Sequence, residues 1–255
     1  MHEGKHYVVT GASSGIGAAF AEQARALGAR ITALDIAEPG ITVDTFHRTD
    51  MSSKESIEAA AGRIGGLDAL VNCAGVPEGD LPDEQVFAVN FLGLRHLTDL
   101  LRPRVADGGS VLNIASIAGH RFHENIGLHT DLLRTEDFDE GAAWYASGRA
   151  RGIGAYRFSK EAVWMFTFHG AATGLARGVR MNSVCPGLVR TRLLPAFQGA
   201  MTPRSIERVR EVGGPAEPRE IASVMSFLLS PEARLINGHN LVADGGFVAS
   251  IMTGP

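Results

Sequence analysis

Cysteine is scarce in this chain of 255 residues, which contains only two. Cys73 and Cys185 each lie in an apolar run of the kind that forms strands. Two such residues do not build a disulfide framework, and so few cysteines are typical of a protein kept in a reducing compartment.

Metal-ligand spacings and basic runs are also missing. The nine histidines show no paired ligand spacing, and residues 120–124 do not form the H-E-x-x-H pattern of a zinc enzyme. The formal net charge is −4, and no run of lysine or arginine stands out. We therefore expect neither a metal nor a nucleic acid as partner.

Long hydrophobic runs are absent as well. No apolar stretch is long enough to span a bilayer, and residues 1–5 are too short and too polar for a signal peptide. These absences predict a cytoplasmic protein that has no membrane as partner.

What the chain does contain is a regular alternation of short β-branched or apolar runs with longer segments of helical periodicity. Strands are predicted at residues 6–10, 30–34, 42–46, 69–72, 110–114, 180–184 and 240–242. Helices are predicted at residues 16–27, 54–63, 83–101, 156–175 and 218–229. This alternation predicts an α/β fold, with a doubly wound parallel sheet of about seven strands and helices on both faces. We expect residues 1–255 to form a single domain, because no linker-like stretch divides them.

A glycine-rich turn follows the first predicted strand and opens the first predicted helix. The segment 10–17 reads TGASSGIG, and its glycines suit a tight turn, a close approach of backbone to a pyrophosphate, and close packing of helix on strand. The helix N-terminus then offers free N–H groups to the phosphates. The turn therefore predicts a Rossmann-type dinucleotide site. The turn residues expected to bind the cofactor are Gly11, Ser13, Ser14, Gly15, Ile16 and Gly17.

Asp35 ends the second predicted strand, about 20 residues beyond that turn. A carboxylate there can accept hydrogen bonds from the adenosine ribose hydroxyls and would repel a 2′-phosphate. Asp35 therefore predicts NAD(H) rather than NADP(H) as the cofactor. The alternative is a solvated aspartate at the end of a strand.

Tyr156 and Lys160 form a Y-x-x-x-K pattern that places both side chains on one face of a helix. A phenol with its ordinary pKa of about 10 is a poor base near neutral pH, and a nearby ammonium should lower that pKa. Tyr156 could then exchange a proton with an alcohol or carbonyl as a hydride moves. A similar pattern, Tyr145 to Arg149, is set aside because glycines within 150–154 interrupt the helix that would follow.

The G-x-x-x-G-x-G turn and the later Y-x-x-x-K pattern, in that order, resemble the short-chain dehydrogenase/reductase family, and the resemblance covers nearly the whole chain. Ser116 ends a segment similar to the family's N-I-S-S strand end, and Asn90 aligns with its fourth catalytic residue. The resemblance implies that Ser116 hydrogen-bonds the substrate oxygen, and that Asn90 supports a water chain toward Lys160, which holds the nicotinamide ribose. The expected catalytic set is Asn90, Ser116, Tyr156 and Lys160.

The same resemblance extends the cofactor site. Asp50 looks like the family residue that contacts adenine. Residues 72–75 match the family's N-N-A-G, with Cys73 in place of the second asparagine. Residues 186–191 resemble P-G-x-x-x-T, in which the Val189 backbone and the Thr191 hydroxyl hold the carboxamide. The cofactor residues expected beyond the turn are Asp35, Asp50, Met51, Asn72, Ala74, Gly75, Tyr156, Lys160, Pro186, Gly187, Val189 and Thr191.

Forty positions separate Ser116 from Tyr156, more than in most members of that family. The segment 119–154 is therefore expected to be an insertion with some structure of its own, including a weak helix near 131–146. It could cover the active site and shape substrate choice, or lie outside and alter how subunits pair. The apolar loop 192–202 looks like a substrate lid, although ordinary loop packing would explain it too.

These features together predict an NAD(H)-dependent oxidoreductase that moves a hydride between the nicotinamide and a secondary alcohol or ketone. The insertion resembles that of bacterial members of the 3α-hydroxysteroid dehydrogenase/carbonyl reductase type, which favours a cyclic or steroid-like substrate. The family resemblance also implies a homodimer or homotetramer. The alternative function is an NAD(H)-binding sensor or scaffold protein without turnover.

Overall fold

A computed structural model of the chain describes residues 2–79 and 81–253. Within them, the strands form one parallel sheet. The strands are β1 (His6–Thr10), β2 (Arg30–Asp35), β3 (Thr45–Arg48), β4 (Leu67–Asn72), β5 (Val105–Ile114), β6 (Arg180–Pro186) and β7 (Asn240–Ala243). The predicted seven-stranded α/β architecture is therefore confirmed.

The helices lie between the strands and at the end of the described chain. They are α1 (Gly15–Ala26), α2 (Lys54–Ala61), α3 (Asp83–Phe87), α4 (Gly93–Leu101), α5 (Ile126–Leu133), α6 (Phe138–Ala146), α7 (Ala155–Thr173), α8 (Leu194–Gly199), α9 (Pro203–Glu211), α10 (Pro218–Leu229) and α11 (Phe247–Thr253). A π-helical turn, Ala88–Leu92, joins α3 to α4, so the predicted helix 83–101 is one helical run with a wider turn in its middle. Among the described residues, no helix is both long and apolar enough to cross a membrane.

The strand order is β3-β2-β1-β4-β5-β6-β7. After β3, at one edge, the chain returns to place β4 beside β1, and the remaining strands extend toward the other edge. The direction of winding therefore reverses between β1 and β4. Ligands of open α/β sheets bind at the carboxyl ends of the strands at such a reversal.

The third strand begins three residues later than predicted. Ile41 and Val43 gave the segment its apolar character, but they precede the strand and pack, partly buried, under the sheet. Asp44 contacts β2 just before the strand: its N–H donates to the Ile31 carbonyl at 3.0 Å, and its carboxylate accepts a hydrogen bond of 2.8 Å from the Ile31 N–H. The predicted bounds 42–46 were therefore wrong: regular pairing with β2 runs from Thr45 to Arg48, because a side chain rather than a backbone carbonyl accepts the Ile31 N–H before it.

Helices cover both faces of the sheet and enclose two apolar layers. On one face, Leu34 of β2 is buried with Ile57 of α2 and Phe158 of α7. On the other face, Phe20 of α1 and Met225 of α10 are completely buried. Burial of each such side chain contributes roughly 2 kcal/mol to stability, and these layers hold the strand ends in place.

The segment 119–154 folds into two helices rather than the single weak helix expected near 131–146. Asp137 separates α5 from α6, since its carboxylate accepts a hydrogen bond of 2.9 Å from the Glu140 N–H and caps α6. The apolar side chains of the segment pack inward: Leu132 is completely buried, and Tyr145 stacks on Phe87 of α3 with ring centroids 4.1 Å apart. The segment thus forms an extra layer outside α3, α4 and α7.

Candidate active site

A cavity of about 340 Å³ opens at the carboxyl ends of the central strands. Most residues predicted to bind cofactor or substrate line it. These are Gly11, Ser14, Gly15, Ile16, Gly17, Asp35, Asp50, Met51, Ala74, Gly75, Ser116, Tyr156, Lys160, Pro186, Gly187, Val189 and Thr191. Ser13, Asn72 and Asn90 are not among the lining residues, and Ser13 and Asn90 instead hydrogen-bond residues that are.

The glycine turn packs so closely against the residues that follow β4 that no side chain fits between them. Gly11 has a φ of +65°, and a Cβ there would lie 2.7 Å from the Ala74 nitrogen. A Cβ on Gly17 would collide with the Gly11 carbonyl oxygen. Only glycine therefore permits this approach of α1 to the strands, and the Ser14 side chain caps no N–H of α1. The open helix N-terminus fits the pyrophosphate of a dinucleotide.

Asp35 is held in place by backbone N–H groups. Its Oδ2 accepts a hydrogen bond from Ser13 N–H at 2.9 Å, and its Oδ1 accepts one from Ala37 N–H at 3.0 Å. The carboxylate is only 7% exposed yet lines the cavity. The backbone of the glycine turn at Ser13 therefore holds Asp35 at the cavity wall. Asp50, further along the wall, accepts hydrogen bonds from both the N–H and the hydroxyl of Ser52.

Asn72 is a buried tie between elements. Its amide donates to Thr98 Oγ1 at 3.0 Å and to Asn113 Oδ1 at 2.9 Å. These bonds fasten β4 to α4 and β5. The next two residues, Cys73 and Ala74, both donate their N–H groups to the Thr10 hydroxyl at 3.0 Å. The cavity wall at 73–75 is thus positioned by hydrogen bonds to buried polar side chains. Cys73 itself lines the cavity.

Ser116, Tyr156 and Lys160 meet on the opposite wall. The Ser116 side chain lies beside Tyr156 and acts to lower its pKa, and Lys160 Nζ lies 5.7 Å from the centroid of the Tyr156 ring. Lys160 Nζ also donates to the Ile114 carbonyl at 3.0 Å. Strand β5 supplies the serine end of this group, and the first turn and a half of α7 supplies the other two, as the i, i+4 spacing requires.

Asn90 holds the loop that follows β4. Its Oδ1 accepts from Val76 N–H at 2.8 Å, and its Nδ2 donates to the Val76 carbonyl at 2.9 Å. A Cβ on Gly75 would lie 3.2 Å from Asn90 Oδ1 and 3.5 Å from Lys160 Nζ. Asn90 and Lys160 therefore converge on the same glycine, and the π-helical turn aims the asparagine there.

Burial dominates the titration of the two ionisable groups. It raises the pKa of Tyr156 to about 12, although the Ser116 contact acts in the other direction. Burial lowers the pKa of Lys160 to about 8. In the chain by itself, desolvation of the phenolate therefore costs more than the Ser116 contact returns. Whether Lys160 and a bound nicotinamide together lower this pKa stays a prediction.

Glu78 is a residue of this site that the sequence analysis missed. Its Oε1 accepts a hydrogen bond of 2.7 Å from the Tyr156 N–H, so it caps the first turn of α7 from the loop after β4. A Cβ on Gly154 would lie 2.6 Å from that same oxygen. The negative charge of Glu78 also raises the pKa of Tyr156. Nothing in the local pattern around Glu78 announces this contact, because its partner lies 78 positions away.

The remaining wall is largely apolar. Phe197 of α8 lies against Tyr156, with ring centroids 5.1 Å apart. Leu193 also lines the cavity, whereas Met201 packs against the separate cluster around Val209. The loop 192–202 is thus divided: its first half faces the cavity, as a lid would, and its last residues are ordinary packing. The other apolar residues of this wall are Val76, Leu81 and Val89.

None of residues 119–154 lines the cavity. The insertion therefore does not form a wall of this cavity, because it lies on the outer side of α3, α4 and α7. Whether it alters how subunits pair stays a prediction. Its attachment is polar as well as apolar. Glu161 of α7, completely buried, accepts hydrogen bonds from Asn125 at 2.8 Å, from His129 at 3.1 Å and from Arg157 at 2.7 Å.

The fold and the cavity together are those of an oxidoreductase that uses a nicotinamide dinucleotide. A family model described as "short chain dehydrogenase" matches residues 5–127, and one described as "Enoyl-(Acyl carrier protein) reductase" matches residues 143–248. The chain is 35% identical over 249 residues to coniferyl-alcohol dehydrogenase of Pseudomonas sp. (strain HR199 / DSM 7063), with 96% of this chain and 97% of the relative covered.

Two further proteins extend the comparison. The 3-alpha-hydroxysteroid dehydrogenase/carbonyl reductase of Comamonas testosteroni is 32% identical, with 95% of this chain and 96% of that protein covered. The crystal structure of the 3-alpha-hydroxysteroid dehydrogenase from Pseudomonas sp. B-0831 complexed with NADH superposes with a TM-score of 0.80 at 31% identity, covering 97% and 98% of the two chains. The chain therefore belongs to the short-chain dehydrogenase family, and the predicted oxidoreductase class is confirmed.

Proposed function

We propose that the protein is an NAD(H)-dependent dehydrogenase that interconverts an alcohol and its carbonyl compound on a cyclic, apolar substrate. The observation that carries this proposal is the meeting of Ser116, Tyr156 and Lys160 on one wall of the cavity whose other wall holds the glycine turn and Asp35. A sensor or scaffold would not need a buried serine–tyrosine–lysine group beside the nucleotide.

Tyr156, Ser116 and Lys160 have separate roles in the proposed reaction. When bound, NAD⁺ would accept the hydride and add a positive charge that favours ionisation of a nearby phenol. Tyr156 exchanges the proton with the substrate oxygen at its Oη, and the Ser116 hydroxyl orients that oxygen and the phenol. Lys160, whose lowered pKa of about 8 keeps it mostly protonated near neutral pH, supplies positive charge beneath the ring.

Asp35 supports NAD(H) over NADP(H). A fixed carboxylate that is largely buried repels a 2′-phosphate strongly, because little water screens it. Arg48 of β3 is a cation close to Asp35 in the sheet, but its guanidinium donates to the Ile36 carbonyl rather than to the Asp35 carboxylate. We expect Asp35→Ala to raise the ratio of kcat/KM for NADP⁺ to that for NAD⁺ by about 100-fold, measured as initial rates with each coenzyme. Equal or greater activity of the unaltered protein with NADP⁺ would contradict the assignment.

The apolar wall formed by Val76, Leu81, Val89, Leu193 and Phe197 supports a cyclic or steroid-like substrate. Two relatives are named for coniferyl alcohol and for a 3-alpha-hydroxysteroid. The test is NADH formation from NAD⁺ with a panel of hydroxysteroids, secondary cyclic alcohols and coniferyl alcohol. We expect KM to fall as the apolar ring system grows. Bound NADH without turnover of any panel member would favour the sensor instead.

The proposal also includes a homodimer or homotetramer in the cytoplasm. Exposed apolar side chains at Phe168, Leu175 and Leu235 support self-association, and the two free cysteines support a reducing compartment. Light scattering coupled to size-exclusion chromatography gives the subunit number, and a monomer at micromolar concentration would contradict the first part.

A further inference from the structure

A second cavity, of about 220 Å³, lies at the amino ends of β1, β2 and β3, remote from the active site. Arg30 begins β2 here and Asp35 ends it at the active site. At about 3.3 Å per residue, roughly 16 Å of strand therefore separate the two cavities. The residues around this second cavity include two arginines and two histidines, Arg30, Arg63, His6 and His47.

At the amino ends of β1 and β2, the sheet face that packs against α2 changes from apolar to polar side chains. Residues two apart on a strand share a face, so His6 shares that of Val8, and Thr32 that of Leu34. Val8 and Leu34 are fully buried under α2. One step toward the amino ends the face becomes polar, and His6 and Thr32 remain only 9% and 5% exposed. Buried polar side chains in a sheet face call for a partner.

The two histidines differ in what they bind. The His6 ring is held by the Gly66 carbonyl and the Thr32 hydroxyl, both at 2.9 Å, so it is part of the frame. The His47 ring hydrogen-bonds none of the described residues. Burial and the positive charge of Arg63 both lower the pKa of His47. The residues that line the cavity thus include the Arg63 guanidinium and the His47 imidazole but no carboxylate.

The guanidinium groups of Arg30 and Arg63 have neither a salt bridge nor a hydrogen bond to any residue within 2–79 and 81–253. Two carboxylates close to the cavity have other partners. Asp44 accepts from Ile31 N–H at 2.8 Å and lies 3.8 Å from Arg25, and Asp68 pairs with Lys5 at 2.9 Å. No carboxylate lines the cavity, and the exposed Arg30 and Arg63 have no ion-pair partner among the described residues. Asp68 lies at the edge of the cavity, where its Oδ2 accepts a hydrogen bond of 2.9 Å from the His6 N–H.

We propose that this cavity binds a phosphate group, held by the guanidinium groups of Arg30 and Arg63 with His47 beside them. Guanidinium forks match phosphate oxygens in geometry and charge. The cavity is several times the volume of one water molecule, large enough for the phosphate of a small metabolite or for free phosphate. The site does not depend on the proposed function, because it shares no residue with the active site.

The test follows the His47 ring by NMR in uniformly ¹⁵N-labelled full-length protein, the signal being assigned with His47→Asn. Inorganic phosphate and ADP are titrated separately into NADH-saturated protein at constant ionic strength, so that the glycine turn is occupied. We expect a saturable shift of the His47 signal. Arg30→Gln and Arg63→Gln should each weaken the binding responsible by about tenfold.

Arg25→Gln is the matched control, because it removes the same charge from the neighbouring helix, where the arginine is paired with Asp44. It should leave the affinity unchanged. Tighter binding of ADP than of phosphate would identify a nucleotide as the ligand, and the reverse would identify the free anion. No shift at millimolar phosphate or ADP, or an equal loss in the Arg25 variant, would overturn the proposal. Circular dichroism of each variant verifies that it is folded.

Discussion

Tyr145 and Tyr156 begin the same spacing, a tyrosine followed four residues later by a basic side chain, yet the fold treats them differently. Tyr156 opens α7 beside Ser116, and its partner Lys160 is buried under the cavity. Tyr145 stacks on Phe87 outside the cavity, and its counterpart Arg149 lies at the surface over Trp144, 3.7 Å from Asp131. The difference is one of location, since α7 begins at the carboxyl ends of the strands and α6 does not.

The pKa values do not separate the two tyrosines. Burial raises the pKa of both to about 12. A perturbed phenol is therefore no sign of catalysis by itself in this protein. What distinguishes Tyr156 is the serine and the lysine beside it, and the room for a substrate.

The largest expected effect is a difference in kcat between variants of the two tyrosines. Tyr156→Phe should lower kcat for alcohol oxidation about 1,000-fold, because it removes the proton-exchanging hydroxyl. Tyr145→Phe keeps the stacked ring on Phe87 and should leave kcat within about twofold. Initial rates of NADH formation measure both, and a large loss in the Tyr145 variant would place the insertion in the active site.

The segment around Tyr145 should matter for stability instead. Leu132→Ala removes a completely buried side chain of α5 and should lower the free energy of unfolding by about 3 kcal/mol. Urea unfolding measures that loss. The kcat of the folded variant should stay unchanged, and a fall of several-fold would show that the insertion helps to shape the cavity.

The two basic partners should differ in how stability depends on pH. The pKa of Lys160 is about 8 when folded, below its ordinary 10.5. The buried ammonium therefore costs stability at low pH, and this cost disappears as pH rises from 8 to 10.5. The free energy of unfolding of the unaltered protein, relative to that of Lys160→Met, should thus increase over this range by up to about 3 kcal/mol.

Arg149→Met serves as the control for that measurement. Arg149 is exposed, so its difference from the unaltered protein should be constant across the same pH range. A flat curve for Lys160→Met as well would contradict the burial of the ammonium as its cause.

The smallest effect concerns the charge that caps α7. Glu78→Gln keeps an oxygen for the Tyr156 N–H but removes a negative charge that raises the tyrosine pKa. The pH profile of kcat/KM for alcohol oxidation should shift to lower pH by roughly half a unit. Glu84→Gln, which removes a charge that raises the pKa of Tyr145, should not move the profile. A shift of equal size in both variants would assign the effect to net charge.

Much of the active site could be predicted because its signals are local. The three glycines of the turn lie within eight residues, and Tyr156 and Lys160 share a helix face by spacing alone. The positions of Ser13 and Asn72 show where such reasoning ends. Both were expected to contact the cofactor, whereas in the structure Ser13 holds Asp35 and Asn72 ties β4 to α4 and β5. Whether either also contacts the cofactor stays a prediction.

The sequence by itself determined the alternation of strands and helices, the glycine turn, and the spacing of the tyrosine and lysine, because each depends on dihedral preferences and periodicity within one element. Only the tertiary structure decided which of two similar tyrosines faces the cavity, that Glu78 caps α7, and that the insertion lies outside. It also decided that burial is the largest influence on the pKa of Tyr156. These outcomes depend on contacts between residues far apart in the chain and on desolvation, which no local pattern encodes.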